Sequence, residues 1–182
     1  MAADTLTCAK LNDSTIVGAT LRAIAVFLIL SIVGAVRAAE PDPYAPLWLT
    51  KGAWRISQPN QAPYDLVNQC ALAGKYFVCA QTTNGKAGSL LIFIPADKPG
   101  RYYTQSVTPE GRGTRRGDLE ISGDRWIYTT TWDTGGKTIY YRTANVFTGK
   151  NRIHFEQAES TDNKEWVVKA TGDETRTGKA AR

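Results

Sequence analysis

The sequence predicts an all-β fold, an antiparallel up-and-down β-barrel of eight to ten strands that follows an N-terminal signal peptide. Short runs rich in Tyr, Trp, Thr, Val and Ile alternate with turn signals about a dozen residues apart, a spacing typical of barrels and sandwiches. After residue 38, no window of about eleven residues shows a helical hydrophobic period. Successive short hairpins favour a meander that closes on itself, and an open two-sheet sandwich is the alternative.

The first forty residues have the features of an export signal. Residues 23–36 (AIAVFLILSIVGAV) form an uncharged run of fourteen residues that follows Arg22. This run is shorter than the roughly 20 residues that cross a bilayer, and the small residues around Ala38 suit cleavage there. We therefore expect residues 1–38 to be a signal peptide, with a membrane anchor as the alternative. The protein would then be periplasmic or secreted, with no stable membrane span after cleavage.

Removal of this leader leaves two of the three cysteines, Cys70 and Cys79, in an oxidising compartment. Gly74 and Lys75 suit a two-residue type II′ turn, which pairs residue 73 with residue 76 and therefore Cys70 with Cys79. Both cysteines then occupy a non-hydrogen-bonded position, where Cα atoms approach to about 4.5 Å, within disulfide range. The sequence thus predicts a structural disulfide across one hairpin.

Ten segments between the turn signals have the composition of strands. They are residues 54–58, 66–72, 76–83, 89–94, 102–107, 118–121, 125–132, 138–147, 152–158 and 165–170. Short loops join them and no linker divides them, so we assign residues 39–171 to a single barrel domain. Residues 172–182 (GDETRTGKAAR) are polar, and we expect a disordered C-terminal tail there.

The glycine pair at residues 135–136 predicts which side chains face the barrel interior. A two-residue turn there pairs Trp126 with Asn145, and aromatic positions alternate with polar ones along both strands. A three-residue loop at residues 148–150 keeps the next strand's apolar residues on the same face. The predicted ligand-binding residues of the lumen, with Asn145 as a polar anchor, are Trp126, Tyr128, Tyr141, Asn145 and Phe155.

The composition excludes several classes of function. One histidine, three cysteines and one methionine leave little scope for His-based or Cys-based metal and triad chemistry. The alternation turns His154 toward solvent, where it is unsuited to bind a metal or to act as a catalytic base. No P-loop, G-x-S-x-G or G-x-G-x-x-G motif is present, and a net charge of +5 is mild. We expect no enzymatic activity, no cofactor or metal, and no nucleic-acid partner.

A glycine-rich basic loop at residues 111–116 is a second candidate site. The guanidinium groups of Arg112, Arg115 and Arg116 are suited to bind an anionic headgroup or a phosphate. The alternative is a solvated turn, because arginines are ordinary in surface loops. The loop is therefore a weak candidate for anion binding.

Gly52, Ala53 and Trp54 open the first strand and follow a short segment at residues 44–49. This Gly-x-Trp opening, before antiparallel strands with one disulfide, resembles the lipocalin-type calycin barrels, and residues 44–171 are similar to small secreted bacterial domains of that type. The resemblance implies that Trp54 closes one barrel end, that the lumen holds a small apolar ligand, and that Arg176 is a candidate for the family's closing arginine. Ten strands instead resemble the fatty-acid-binding and nitrobindin-like barrels. The nitrobindin-like barrels bind haem through a histidine, and an outward His154 argues against that.

Two functions are consistent with these observations. The first is an exported carrier or sensor that binds a small apolar or aromatic ligand in its lumen, although side chains can also fill a small barrel. The alternative is an envelope protein-interaction module, such as a protease or lysozyme inhibitor, that acts through its loops. The expected partner is a small apolar ligand in the first case and an envelope protein in the second.

Overall fold

The computed structural model describes residues 41–178, which form one short 3-10 helix and ten strands. The predicted signal peptide, residues 1–38, lies outside the described residues, and no helix among residues 41–178 is long and apolar enough to cross a membrane. The helix covers Ala45–Thr50. The strands are β1 (Gly52–Ser57), β2 (Tyr64–Ala73), β3 (Tyr76–Thr83), β4 (Lys86–Pro95), β5 (Arg101–Val107), β6 (Gly117–Ser122), β7 (Arg125–Thr134), β8 (Lys137–Thr148), β9 (Arg152–Ser160) and β10 (Val167–Gly178).

The strands form a closed barrel with up-and-down topology. Each strand pairs antiparallel with the next along the chain, and β1 pairs with β10 to complete the ring. The predicted fold class is confirmed, and the open sandwich is wrong. Closure leaves no unpaired strand edge, which explains why ten short strands are stable in one sheet.

One end of the barrel is packed by the 3-10 helix, and we call it the helix end. The β2–β3, β4–β5, β6–β7 and β8–β9 connections lie there, and the other five connections lie at the opposite end, the loop end. Leu47 of the helix is fully buried, and the Trp48 ring meets Phe77 edge-on at 4.8 Å. The hydroxyl of Tyr44 donates to the carbonyl of Lys75 at 2.6 Å. The helix end is therefore closed by hydrophobic packing, in which each fully buried large side chain contributes about 1.5–3 kcal/mol.

The predicted pairings in two hairpins are confirmed. Cys70 pairs with Cys79 across the β2–β3 hairpin, their Cα atoms are 4.0 Å apart, and the disulfide is formed. Gly74 has a φ of 63°, as the first position of a type II′ turn requires. Between β7 and β8, Trp126 pairs with Asn145 as predicted from the glycine turn.

The β8–β9 loop differs from the prediction by one residue. Phe147 pairs with Ile153 and Thr148 with Arg152, so the three-residue loop covers residues 149–151 rather than 148–150. The loop moves by one residue, so the pairing partner of Phe147 moves by two residues from the predicted position. Side chains of a strand return to the same face every two residues. Phe155 therefore faces the interior in both registers.

The prediction of a disordered tail from residue 172 is wrong for residues 172–178. These residues belong to β10, which pairs with β9 on one side and with β1 on the other. The polar composition of the segment does not oppose a strand, because both neighbours supply backbone hydrogen bonds and its inward polar side chains face a cavity. The barrel domain therefore extends to Gly178.

Candidate ligand-binding site

The interior of the barrel contains a cavity of about 370 Å³. Part of its lining is apolar: Trp54, Leu66, Leu91, Phe93 and Ile153. Polar side chains line it on both sides of the barrel, with Asn68 and Gln81 on β2 and β3, and with Tyr128, Tyr141, Thr143, Asn145, Gln157 and Glu174 on β7 to β10. Asn68 and Gln81 hydrogen-bond to each other, so most of the groups left to bind a molecule in this cavity lie on β7 to β10.

Trp54 forms the floor of the cavity at the helix end, and Arg176 stacks on its ring without lining the cavity. Trp54 is 1% exposed, and its indole N–H donates to the carbonyl of Thr50 at 2.9 Å. The Arg176 guanidinium lies over the Trp54 ring, 4.1 Å from its centroid, and donates to the carbonyls of Leu49 and Lys51, each at 2.6 Å. Desolvation by burial lowers the pKa of Arg176. The candidate closing arginine therefore lies on the tryptophan that closes the barrel end.

Glu174 is a cavity residue that the sequence analysis missed. It pairs with Ile56 of β1 and Ile153 of β9, and its side chain turns inward and lines the cavity. It forms no hydrogen bond or ion pair with any other residue of the range 41–178. Burial disfavours its charged form and raises its pKa from 4.5 to about 7. Gly172, Glu174 and Arg176 face inward at every second position, an alternation that is typical of a strand. The polar composition of the segment favoured a disordered tail instead.

Asn145 presents a second unpaired acceptor to the cavity. Its Oδ1 atom is buried, and no donor within residues 41–178 reaches it. An unsatisfied buried acceptor costs about 1–3 kcal/mol. Asn145 therefore occupies the anchoring position predicted for it and is suited to receive a hydrogen bond from a molecule in the cavity.

Two tyrosines connect this cavity to a second one. Tyr128 and Tyr141 line both the first cavity and an adjoining space of about 200 Å³ that reaches Arg115 near the loop end. Burial raises the pKa of both phenols, and Glu174 raises that of Tyr128 further, so both hydroxyls are neutral near pH 7. The two spaces together extend from the Trp54 floor toward the loop end.

The predicted lumen residues divide into two groups. Tyr128, Tyr141 and Asn145 line the cavity, whereas Trp126 and Phe155 do not. Trp126 is 2% exposed and packs on Phe147 with the ring centroids 4.6 Å apart. Phe155 is 4% exposed. Both side chains face the interior as predicted, but they fill it with core packing instead of lining the cavity.

The predicted anion-binding loop does not gather its three guanidinium groups. Arg115 pairs with Asp133, and Arg116 stacks on the ring of Tyr103, 4.3 Å from its centroid. Arg112 is exposed and has no ion-pair partner among residues 41–178. Two of the three arginines are thus engaged by the barrel itself.

His154 is exposed on the outer surface, as predicted. Its Nδ1 atom lies 3.1 Å from Oδ1 of Asp173, and its Nε2 atom lies 3.3 Å from Oγ1 of Thr171. It does not line the interior cavity. The imidazole is therefore not placed to bind a ligand in the lumen.

Comparison with known proteins gives structural likeness only. No family model matches the chain, and no curated protein matches it. The S-type phycobiliprotein lyase CPES from Guillardia theta is similar in structure at 11% identity and a TM-score of 0.48, covering 72% of this chain and 90% of its own. The protein Rv2717c from M. tuberculosis is similar at 12% identity and a TM-score of 0.45, covering 74% of this chain and 97% of its own. At these identities and scores, neither likeness bears on the ligand or the activity of this chain.

Proposed function

We propose that this protein is an exported carrier or sensor that holds one small molecule with an apolar or aromatic body in its lumen. The observation that carries the proposal is the interior cavity, about 370 Å³ in volume, which combines apolar side chains with a few polar ones. This volume lies within the usual range of small-molecule sites, and a few placed polar groups in an apolar pocket are typical of such sites.

The unpaired Oδ1 atom of Asn145 supports a ligand in this space. Core packing normally removes or satisfies a buried acceptor, because leaving it unpaired is costly. Here the acceptor lines a cavity, where a bound molecule is able to supply the donor. If the interior served only stability, we would expect side chains to fill this space, as Trp126 and Phe147 fill the interior below the cavity.

Export is supported by the sequence features at residues 1–38 and by the cysteine pair. A disulfide between Cys70 and Cys79 persists only in an oxidising compartment such as the periplasm or the extracellular space. The proposal of a periplasmic or secreted protein rests on these two features together.

The alternative is an envelope protein-interaction module that acts through its loops. It receives less support, because the barrel engages Arg115 and Arg116 through Asp133 and Tyr103. Arg112 is left as the one arginine of the loop at residues 111–116 without such a contact among residues 41–178. A single exposed guanidinium is an ordinary surface feature.

Native mass spectrometry of the protein purified from its own host tests the carrier function. The wild type is compared with Thr143→Phe, which would fill the cavity, and with Thr175→Phe, which places the same ring on the exposed outer face of β10. We expect a stoichiometric small molecule on the wild type and on Thr175→Phe, released by denaturation, and none on Thr143→Phe. Absence of bound molecules from all three proteins, together with no uptake of an added naphthalene probe, would contradict the carrier function.

A further inference from the structure

We propose that the lumen selects organic cations, in the form of protonated amines attached to an apolar body, through the carboxylate of Glu174. This inference rests on the proposed function, since it names the chemical class of the ligand for the same cavity. The positively charged ligand would be the counter-ion of Glu174, for which the described residues provide none.

The first observation that supports this inference is the position of Glu174 in the cavity. Its side chain enters the cavity between the side chains of Ile56 and Ile153, which flank it on the neighbouring strands. No ion pair or hydrogen bond to the other described residues compensates for this burial. The side chain is half-buried, and a carboxylate that is partly removed from water without a partner is unfavourable, since such groups in proteins are normally paired. The carboxylate therefore marks a place where a ligand group completes the structure.

The charges around the cavity carry the second step. No Lys, Arg or His among residues 41–178 lines it, and Glu174 is its one carboxylate. The nearest cation along β10, Arg176, lies over Trp54 and is engaged by three backbone carbonyls, of Leu49, Lys51 and Lys150. An anionic ligand would meet only repulsion from Glu174, whereas a cation would find an uncompensated negative charge.

The second unpaired acceptor carries the third step. Asn145 on β8 and Glu174 on β10 face the same cavity from either side of β9, and both are acceptors without donors in the described part of the chain. An ammonium group has three N–H donors and no acceptor, whereas a neutral alcohol has one donor. A protonated amine therefore offers these acceptors more donors than a neutral alcohol does, together with the charge opposite to that of Glu174.

We expect binding of a cation to depend on pH through Glu174. The groups that face Glu174 are Tyr128 of β7 and Tyr64 of β2, whose pKa values it raises, with Thr143 of β8 and Gln157 of β9. All of these are neutral near pH 7, so the charge state of the site is set by Glu174, with its pKa of about 7. Binding of a cation would strengthen as pH rises through 7 and weaken as Glu174 takes up its proton.

Three probes with one apolar body test the inference by calorimetric titration at pH 8. They are 2-naphthylmethylamine, 2-naphthylmethanol and 2-naphthoate, which carry a cation, a neutral hydroxyl and an anion. We expect the wild type to bind the amine about tenfold more tightly than the alcohol, and the carboxylate most weakly, because a hydrogen bond to a charged group is worth more than a neutral one. At pH 5.5 the preference for the amine should largely disappear.

Glu174→Gln and the matched control Asp173→Asn assign the effect to one carboxylate. Asp173 is the preceding residue on β10 and points to the outer surface, beside His154. We expect Glu174→Gln to bind the amine and the alcohol with equal affinity, and Asp173→Asn to keep the preference. Equal binding of all three probes by the wild type, or an unchanged preference in Glu174→Gln, would overturn the cation inference and leave the carrier function standing. Binding of none of the probes would count against the carrier function itself.

Discussion

Arg176 near the end of β10 stacks on Trp54 of β1, with its guanidinium carbon 4.1 Å from the ring centroid. The same guanidinium donates to the backbone carbonyl of Lys51, just before β1, and to that of Lys150 in the β8–β9 loop. One side chain thus joins the first strand, the last strand and the β8–β9 loop at the helix end. The contact closes the ring of strands and forms the floor beneath the cavity.

Replacement of Arg176 should destabilise the barrel more than replacement of any exposed arginine. Arg176→Ala removes the stacking contact and three hydrogen bonds from a charged donor, and we expect it to lower the free energy of unfolding by about 3 kcal/mol or more. Urea unfolding followed by tryptophan fluorescence measures the change. Arg152→Ala, at an exposed position on β9, is the control and should change the stability by less than about 0.5 kcal/mol. Equal effects of the two substitutions would contradict the role given to Arg176.

The Cys70–Cys79 disulfide should stabilise the folded barrel. The double substitution Cys70→Ala/Cys79→Ala opens a loop with a sequence separation of 9, and the chain-entropy account then predicts a loss of about 2–3 kcal/mol. Denaturant unfolding measures the loss. Intact mass with and without reductant provides an independent check, because reduction adds two hydrogen atoms to each chain. An identical mass in both conditions would show that the bond is not formed.

Gly172 is required because the backbone of Ser57 and the ring of Phe155 both pack directly over β10. A Cβ atom at residue 172 would clash first with the carbonyl oxygen of Ser57 and would lie 2.7 Å from Cζ of Phe155. We expect Gly172→Ala to destabilise the barrel by about 1–3 kcal/mol, as overpacking of a core does. Gly178→Ala on the same strand is the control, because no heavy atom of the described residues lies within 4 Å of a Cβ there. Combining Gly172→Ala with Phe155→Leu should recover part of the loss, and a full additive loss would argue against the contact.

Glu174 should make the stability of the ligand-free protein fall as pH rises. Its pKa is 4.5 in an ordinary environment and about 7 in the barrel, so the folded protein holds the proton more tightly than the unfolded chain does. The contribution of Glu174 to the free energy of unfolding is therefore most favourable below pH 4.5 and becomes less favourable until pH exceeds 7, by up to roughly 3 kcal/mol.

Glu174→Gln removes this titration and isolates its contribution. The variant should be more stable than the wild type at pH 8 and should lose that advantage at pH 4, in urea unfolding at both values. Asp173→Asn, on the outer face, should not show this pattern. A stability difference between wild type and Glu174→Gln that is the same at both pH values would show that Glu174 is not desolvated in the folded state.

Ligand uptake should depend on the lumen and not on the basic loop. Tyr141 lines both interior cavities, so Tyr141→Ala should abolish binding of a naphthalene probe. The double substitution Arg112→Ala/Arg116→Ala removes two cations of the basic loop that line neither cavity, and it should leave that binding unchanged. Fluorescence titration of the probe measures both. The reverse pattern, accompanied by loss of a protein partner, would favour the interaction-module alternative.

The strand content and the registers that depend on a local turn could be predicted from the sequence. Gly74 sets the pairing of Cys70 with Cys79, and the glycines at residues 135–136 set the pairing of Trp126 with Asn145. These predictions succeeded because a two-residue turn imposes its register on the strands it joins, whatever the rest of the chain does. The inward positions of Tyr128, Tyr141 and Asn145 followed from the same alternation.

Which strands close the barrel and where its cavity lies depend on contacts between residues that are far apart in the sequence. β10 pairs with β1 although almost the whole domain separates the two strands in sequence, and no local turn encodes that pairing. Its inward residues are Gly172, Glu174 and Arg176, which show none of the hydrophobic alternation of a half-buried strand. Whether an inward aromatic residue lines a cavity or fills the core, as Trp126 does, depends on packing across the barrel. For that reason Glu174, the one carboxylate that residues 41–178 contribute to the cavity, could be identified only once the position of β10 in the barrel was known.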